Sequence, residues 1–255
     1  MKLNLRGVVC QCVFALVVAA AFATSAAAQT ANIRSVTFFT VKPDRIGDFQ
    51  AEIKEYNTLY AKGGSTNYSS MWQSLTGPRE YARVTYYTKW AELDAGPDPK
   101  LKDQAADLAR INTRIIDCTE SWHRVIEEIQ PDLSLPSSTD MPKMIRVLVT
   151  QVRPEKYKEY LDIVKNEILP AAKKGELKTF VFAEVRYGAP NTQVSSVVAL
   201  DSWADLDGDY GVEKGLGKEG YQALLAKTRP LVIQADANIY RFMPEISYLP
   251  ATPTK

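Results

Sequence analysis

The sequence predicts an α+β fold in which the element order βαββαβ occurs twice, and two observations indicate this. A tryptophan-centred heptad at residues 88–94 (TKWAELD) returns at residues 201–207 (DSWADLD). Each copy follows an apolar run typical of a strand and precedes a polar segment that contains glycine. In addition, a proline lies two residues after the last residue of the first strand in each half, at Pro43 and Pro154. We therefore expect one unit to have been duplicated within the chain.

The first half contains four predicted strands, because each run is rich in β-branched and aromatic residues. They cover residues 34–41, 68–75, 80–87 and 120–126. Apolar residues spaced three and four apart predict an amphipathic helix after the first strand. Its stripe consists of Ile46, Phe49, Ile53, Tyr56 and Tyr60. A second helix is predicted over residues 101–116, after a loop that contains Gly96, Pro97 and Pro99.

The second half repeats this order. Its strands are predicted over residues 145–152, 180–187, 193–200 and 237–243, with one helix after the first strand and another beginning its apolar side at Tyr221. Residues 131–143 contain three prolines together with serine and aspartate, a composition typical of a linker. The predicted organisation is a first repeat at 29–130, the linker at 131–143, a second repeat at 144–247 and a tail at 248–255.

The N-terminus has the pattern of a secretory signal peptide. Lys2 and Arg6 precede a mostly apolar stretch at residues 8–24, and small residues follow at 26–28. We predict cleavage after Ala28 and export to a periplasm or the extracellular space. The alternative is a retained N-terminal anchor, although the apolar stretch is short for a membrane span.

Composition excludes some partners and constrains the core. The formal net charge of the full chain is +1, with no basic block and no acidic tail. Nucleic acid and anionic membrane surfaces are therefore poor candidates as partners. After cleavage only Cys118 remains, so no disulfide can form within one chain, and we expect this thiol to be buried beside Ile115 and Ile116.

The order of elements, the Val-x-Pro segments at 41–43 and 152–154 and the two tryptophan heptads resemble the dimeric α+β barrel superfamily. That group includes antibiotic-biosynthesis-monooxygenase-like and NIPSNAP-like domains. The resemblance implies two ferredoxin-like βαββαβ repeats forming a pseudo-dimeric α+β barrel, with the open sheet faces of the two repeats packed together. It also implies a monomer or a homodimer of such pseudo-dimers. Members include cofactor-free oxygenases, haem-degrading enzymes, haem-binding dismutases, isomerases and proteins without known activity, so the fold does not specify a reaction.

Candidate site residues come mostly from the first half, whose strands carry more aromatic and cationic residues. His123 is the one histidine and is a candidate catalytic residue with Arg83, because histidine titrates near neutral pH. Candidate ligand-binding residues share positions on predicted strands: Trp72, Arg83, Tyr87, His123 and Tyr240. The alternative is that these bulky side chains are core, filling space left by small residues in the other half.

No metal site is predicted, since one histidine cannot form a multi-histidine zinc site. The acidic run from Asp205 to Asp209 lacks the glycine and the final glutamate of a calcium loop. Haem is not excluded, because one axial histidine suffices. However, haem-degrading relatives carry their histidine on a helix, whereas His123 lies on a predicted strand.

Two functions remain open. The favoured one is binding of a small apolar or aromatic molecule in a barrel pocket, without catalysis. The alternative is a cofactor-independent monooxygenase or isomerase that uses the same pocket. A shared cavity containing His123 and Arg83 would favour the enzyme.

Overall fold

The computed structural model describes residues 32–94, 98–135 and 141–250. The predicted signal peptide lies outside these residues, as do parts of the linker and tail, so export stays a prediction. The strands are β1 Ile33–Val41, β2 Ser69–Ser74, β3 Tyr81–Tyr87, β4 Thr119–Ile129, β5 Met144–Val152, β6 Phe180–Tyr187, β7 Gln193–Leu200 and β8 Val232–Phe242. The helices are α1 Ile46–Lys62, α2 Ala91–Asp94, α3 Ala105–Asp117, α4 Tyr157–Ile163, α5 Leu169–Lys174 and α6 Val212–Thr228.

The eight strands form one closed antiparallel barrel in the order β1-β3-β2-β8-β5-β7-β6-β4. Main-chain pairing joins the two halves twice, between β2 and β8, where Trp72 faces Phe242, and between β4 and β6, where Glu128 faces Glu184. The prediction of two ferredoxin-like βαββαβ repeats forming a pseudo-dimeric α+β barrel is therefore wrong. Two sheets do not stack through their faces, because the edges pair directly and give one continuous sheet.

The physical reason lies in the strand edges. An isolated four-stranded sheet would leave a row of unpaired N–H and C=O groups on each outer strand. Pairing β2 with β8 and β4 with β6 satisfies many of these groups. The apolar pattern of a sequence indicates which face of a strand is buried. It contains no information about which strand edges pair with each other.

Alternation along each strand separates two apolar regions. One side of the sheet faces the barrel interior, where Val36, Trp72, Val84 and Tyr240 belong to one buried cluster. The other side is covered by helices. Under α1 and α3 the core includes Phe49, which is fully buried.

Local sequence explains how the helices begin and end. Pro43 lies in the first turn of a short 3-10 helix that leads into α1, where its missing N–H group is tolerated. Phe49, Ile53 and Tyr56 form the buried stripe of α1, as their spacing predicts. Gly63 caps the helix, and its N–H group donates to the Leu59 carbonyl at 2.9 Å.

Cys118 is buried, and burial raises the pKa of its thiol, which lowers its reactivity at neutral pH. Among the helices that the structure describes, none combines the length and the apolar character needed to cross a lipid bilayer.

Candidate functional site

A cavity of about 690 Å³ lies between the outer face of the second half of the barrel and the helices that cover it. We call it the sheet–helix cavity. Its floor comes from β5, β6 and β7, and its apolar members are Leu148, Phe180, Phe182 and Val198. Its roof comes from the α4 and α6 regions, through Tyr160, Val164, Ile168, Tyr221 and Leu224. The exposed residues Arg229 and Gln234 also line it, so the cavity opens to solvent beside β8.

The cavity exists because a small side chain occupies the position that a large one fills in the first half. Ser196 of β7 precedes Trp203 by the same number of residues as Arg83 of β3 precedes Trp90. The Arg83 guanidinium carbon lies 4.6 Å from the centre of the Tyr56 ring, which fills the space between β3 and α1. Ser196 extends only a hydroxymethyl group toward the second-half helices.

Residues of the first-half helix also contribute to filling that space. The rings of Tyr56 and Tyr60 stack with centroids 4.4 Å apart, and Arg83 also lies 6.0 Å from the Tyr60 centroid. Burial first, and then the neighbouring Tyr56, raises the pKa of Tyr60. The first half is therefore a packed core at the level where the second half has a cavity.

The roof contains an irregular helical turn. A π-helical segment, Val164–Ile168, connects α4 to α5, and both of its terminal residues line the cavity. Pro170 lies just after it and has no N–H group to donate to the preceding turn. The wider turn is a consequence of that missing hydrogen bond, and such π-bulges occur frequently at functional sites.

Glycines allow helices α5 and α6 to touch. A Cβ atom added at Gly215 of α6 would lie 2.0 Å from the Ala171 carbonyl oxygen of α5, and one added at Gly175 would lie 1.9 Å from the Gly211 oxygen. Only glycine permits this approach of backbones. Gly217, with φ of 71°, then interrupts α6 and redirects its second part, which carries Tyr221 and Leu224 over the cavity.

Polar groups are few and lie at defined places around the apolar floor. The Tyr210 hydroxyl donates to the Ala199 carbonyl at 2.7 Å. Burial, with a smaller contribution from the Asp205 charge, raises the pKa of Tyr210 to about 12. Burial also raises the pKa of Tyr160, although a hydrogen bond with Thr150 opposes the shift. Both phenols are therefore protonated and neutral at neutral pH.

Arg146 and Arg229 supply positive charge to the cavity wall. Within residues 32–94, 98–135 and 141–250, neither guanidinium forms an ion pair with a carboxylate. Glu213 is the one acidic residue among the described lining. The wall therefore offers more positive than negative charge, an arrangement that suits an acidic group on an otherwise apolar ligand.

The residues predicted from sequence are not brought into one site. Trp72 and Tyr240 line a second, smaller cavity inside the barrel, whereas Arg83 packs on Tyr56 beneath α1. Tyr87 follows Arg83 on the same outer side of β3. His123 is exposed on β4, where its ring stacks on Phe38 at 4.8 Å, and it lines neither cavity. His123 and Arg83 do not share a cavity, and the enzyme hypothesis loses the constellation on which it was based.

The residues lining the sheet–helix cavity do not fit a histidine-ligated haem. Oxygen and nitrogen donors on its wall come from tyrosine, serine, threonine, arginine, glutamine and glutamate side chains. His123 lies outside it, and Cys118 is buried in the core of the first half. Among the described residues, no three histidine, cysteine, aspartate or glutamate side chains lie together so that they could hold a metal ion.

These observations define the class of protein. It is a closed antiparallel barrel with outer helices and a cavity between the sheet and those helices. No known family profile matches the sequence. No curated protein matches it either. Solved structures of low sequence identity do match, and they show the same fold.

Three of these structures illustrate the likeness. A proposed monooxygenase from Lactobacillus acidophilus is 10% identical with a TM-score of 0.56, covering 83% of this chain and 94% of its own. An anthrone oxidase-like protein is 16% identical with a TM-score of 0.53, and the match covers 83% of this chain and 91% of that protein. Chlorite dismutase from Candidatus Nitrospira defluvii is 10% identical with a TM-score of 0.54, and the match covers 85% of this chain and 93% of that protein.

The neighbours are described as a proposed monooxygenase, an anthrone oxidase-like protein and a chlorite dismutase, and their likeness supports the resemblance seen in the sequence only at the level of a barrel fold. The NIPSNAP-like character and the duplication stay predictions. At these identities the likeness shows the fold alone, so the function must be argued from the cavity.

Sequence reasoning missed the cavity residues for an identifiable reason. Aromatic and charged side chains are concentrated on the strands of the first half, where they form packed core under the helices. The pattern that indicates the cavity is a set of small residues on β7, which faces a helix rich in glycine that includes Gly215 and Gly217. Arg146 was not predicted as a site residue, because the other residues of its strand are mostly apolar and are typical of a buried strand.

Proposed function

We propose that this protein binds a small apolar or aromatic molecule with an acidic group in the sheet–helix cavity. The observation that carries the proposal is the cavity of about 690 Å³, whose floor is apolar and whose wall holds Arg146 and Arg229. Pockets of this size, apolar with a few oriented polar groups, are typical of small-molecule sites. The fold neighbours are consistent with it, since one is a chlorite dismutase in complex with imidazole.

Two kinds of contact would recognise the ligand, namely apolar contacts with its rings and ionic contacts with its acidic group. Burial of ligand rings against Phe180, Phe182 and Leu148 removes apolar surface from water, which stabilises the complex by roughly 25 cal/mol per Å². The guanidinium of Arg146 can pair with an anionic group at the edge of the floor. Tyr210, held by its hydrogen bond to Ala199, provides a fixed wall that need not reorganise on binding.

Ser196→Phe tests the proposal, because Ser196 lies on the cavity floor with open space above it. The probe is 1-anilinonaphthalene-8-sulfonate, an aromatic anion whose fluorescence rises in apolar surroundings. We expect saturable one-to-one binding by the native protein and at least a tenfold rise in Kd for the variant, measured by fluorescence titration. The added ring should occupy the volume that the probe needs.

Ser121→Phe is the matched control, since Ser121 lies on the exposed part of β4 and lines neither cavity. It makes the same chemical change and should leave Kd unaltered. Equal affinity of all three proteins would mean that the probe binds elsewhere, and the proposed site would then be abandoned. Circular dichroism melting checks that both variants are folded.

The descriptions of several neighbours favour a second candidate function, a cofactor-independent monooxygenase or isomerase that uses the same cavity. In that case Arg146 would stabilise an anionic form of an aromatic substrate rather than only bind it. Oxygen uptake with an anthrone-type substrate, lost in Ser196→Phe and kept in Ser121→Phe, would support this candidate. Binding of the substrate without oxygen uptake would leave the protein as a binder.

A further inference from the structure

The barrel interior contains a second cavity of about 210 Å³, separate from the sheet–helix cavity and called the interior cavity below. Successive residues of one strand face the two spaces, since Ser196 lines the outer cavity and Val197 the inner one. We infer that the interior cavity is a second binding site, and that it takes a small neutral aromatic molecule of one or two rings. This inference is independent of the function proposed above.

Valine is the commonest residue lining the interior cavity, and this explains why the space is open. Seven valines from both halves face it: Val36, Val84, Val125, Val147, Val149, Val181 and Val197. An eight-stranded barrel is just wide enough for its own side chains or for one small ligand. Short branched side chains, together with Ala82, leave the centre unfilled, while Trp72 and Phe38 provide flat walls.

The volume sets the size of the ligand. An apolar protein cavity of about 150 Å³ can stay dry and bind benzene. The interior cavity is larger by about the volume of a few carbon atoms, so one ring or two fused rings should fit. A three-ring probe such as 1-anilinonaphthalene-8-sulfonate should not.

The polar end of the interior cavity selects for a neutral ligand. Arg34 donates from Nε to Glu127 at 2.7 Å and from Nη2 to Ser195 at 2.9 Å, and Ser195 donates to Glu127 at 2.7 Å. The two opposite charges are thus paired with each other and offer no net charge. A charged ligand would lose its hydration without gaining an unpaired counter-ion.

Access is available at one end of the interior cavity. Tyr86 and Met141 both line it, and they are 51% and 42% exposed. Part of the cavity wall is therefore formed by side chains that also reach the surface. We expect a small uncharged molecule to enter from this side of the barrel.

Trp72 provides a selective reporter. The chain has four tryptophans, all described, and Trp72 is the one that lines either cavity. Trp90, Trp122 and Trp203 are exposed, so their replacement by phenylalanine should leave the fold intact. In that background, nitrobenzene, a one-ring quencher of indole, should quench Trp72 with a saturable dependence on concentration.

Val197→Phe should raise the apparent Kd for nitrobenzene at least tenfold, whereas Ser196→Phe on the opposite face should not change it. Should Val197→Phe not fold, Ala82→Val fills less of the same space and should raise Kd several-fold. Quenching that stays linear with concentration, or that is unchanged by both interior variants, overturns the inference. Loss of quenching in Ser196→Phe alone would overturn it as well.

Discussion

Replacing Glu127 with alanine is expected to lower the free energy of unfolding by about 3–5 kcal/mol, because it leaves a buried charge without its partner. The Arg34–Glu127 ion pair has an N–O distance of 2.7 Å, and both side chains are less than a tenth exposed. Burial alone would lower the pKa of Arg34, but the Glu127 charge and hydrogen bond outweigh it, and the pKa is raised. Without Glu127 the guanidinium would stay charged inside an apolar barrel.

The measurement is urea denaturation, and a neighbouring ion pair provides the control. Glu128 pairs with Arg186 at 2.6 Å, but both side chains are partly exposed to water. Glu128→Ala should therefore cost less than about 1 kcal/mol. The double variant Arg34→Met with Glu127→Leu should recover much of the loss, since it removes both charges. Equal small effects of Glu127→Ala and Glu128→Ala would contradict the account of the barrel interior.

Replacing Gly215 with alanine is expected to destabilise the protein by about 1–3 kcal/mol and to weaken ligand binding together with it. The added Cβ would lie 2.0 Å from the Ala171 oxygen, an atom of the backbone that cannot move aside by rotating a bond. Helices α5 and α6 would have to separate. Because α6 forms part of the roof, the shape of the sheet–helix cavity would change with that displacement.

Gly47→Ala is the control for this prediction. Gly47 lies in α1 with nothing within 4 Å of an added Cβ, so alanine should stabilise that helix by up to about 1 kcal/mol. Denaturation gives the stability of both variants, and probe titration gives their affinity. If Gly215→Ala is as stable as Gly47→Ala and binds the probe normally, the helix contact has no role in forming the cavity.

The elements of the fold were predictable from the sequence, but their assembly was not. Each of the eight strands, including β1 and β7, overlaps a run of β-branched and aromatic residues that indicated it. The pairing of β2 with β8 and of β4 with β6 depends on main-chain groups that every residue carries. No side-chain pattern reports such pairing, and this is why the predicted arrangement of two packed repeats failed.

The candidate site was predictable only in its general nature. Trp72 and Tyr240 do line a cavity, although a different and smaller one. Arg83 was expected to contact a ligand because it is cationic among aromatic residues, yet the same properties allow it to pack on Tyr56. A cavity is a volume that side chains fail to fill, and it depends on both surfaces that enclose it. The sequence of one strand describes only one of these two surfaces.

The most direct test of the central claim is a crystal structure of the protein with 1-anilinonaphthalene-8-sulfonate bound. The account predicts that the aromatic rings lie on the floor formed by Phe180, Phe182 and Leu148, beneath α6, with the sulfonate in contact with Arg146 or Arg229. A bound probe found only on the outer surface or inside the barrel, with side chains occupying the space between β7 and α6, would contradict it.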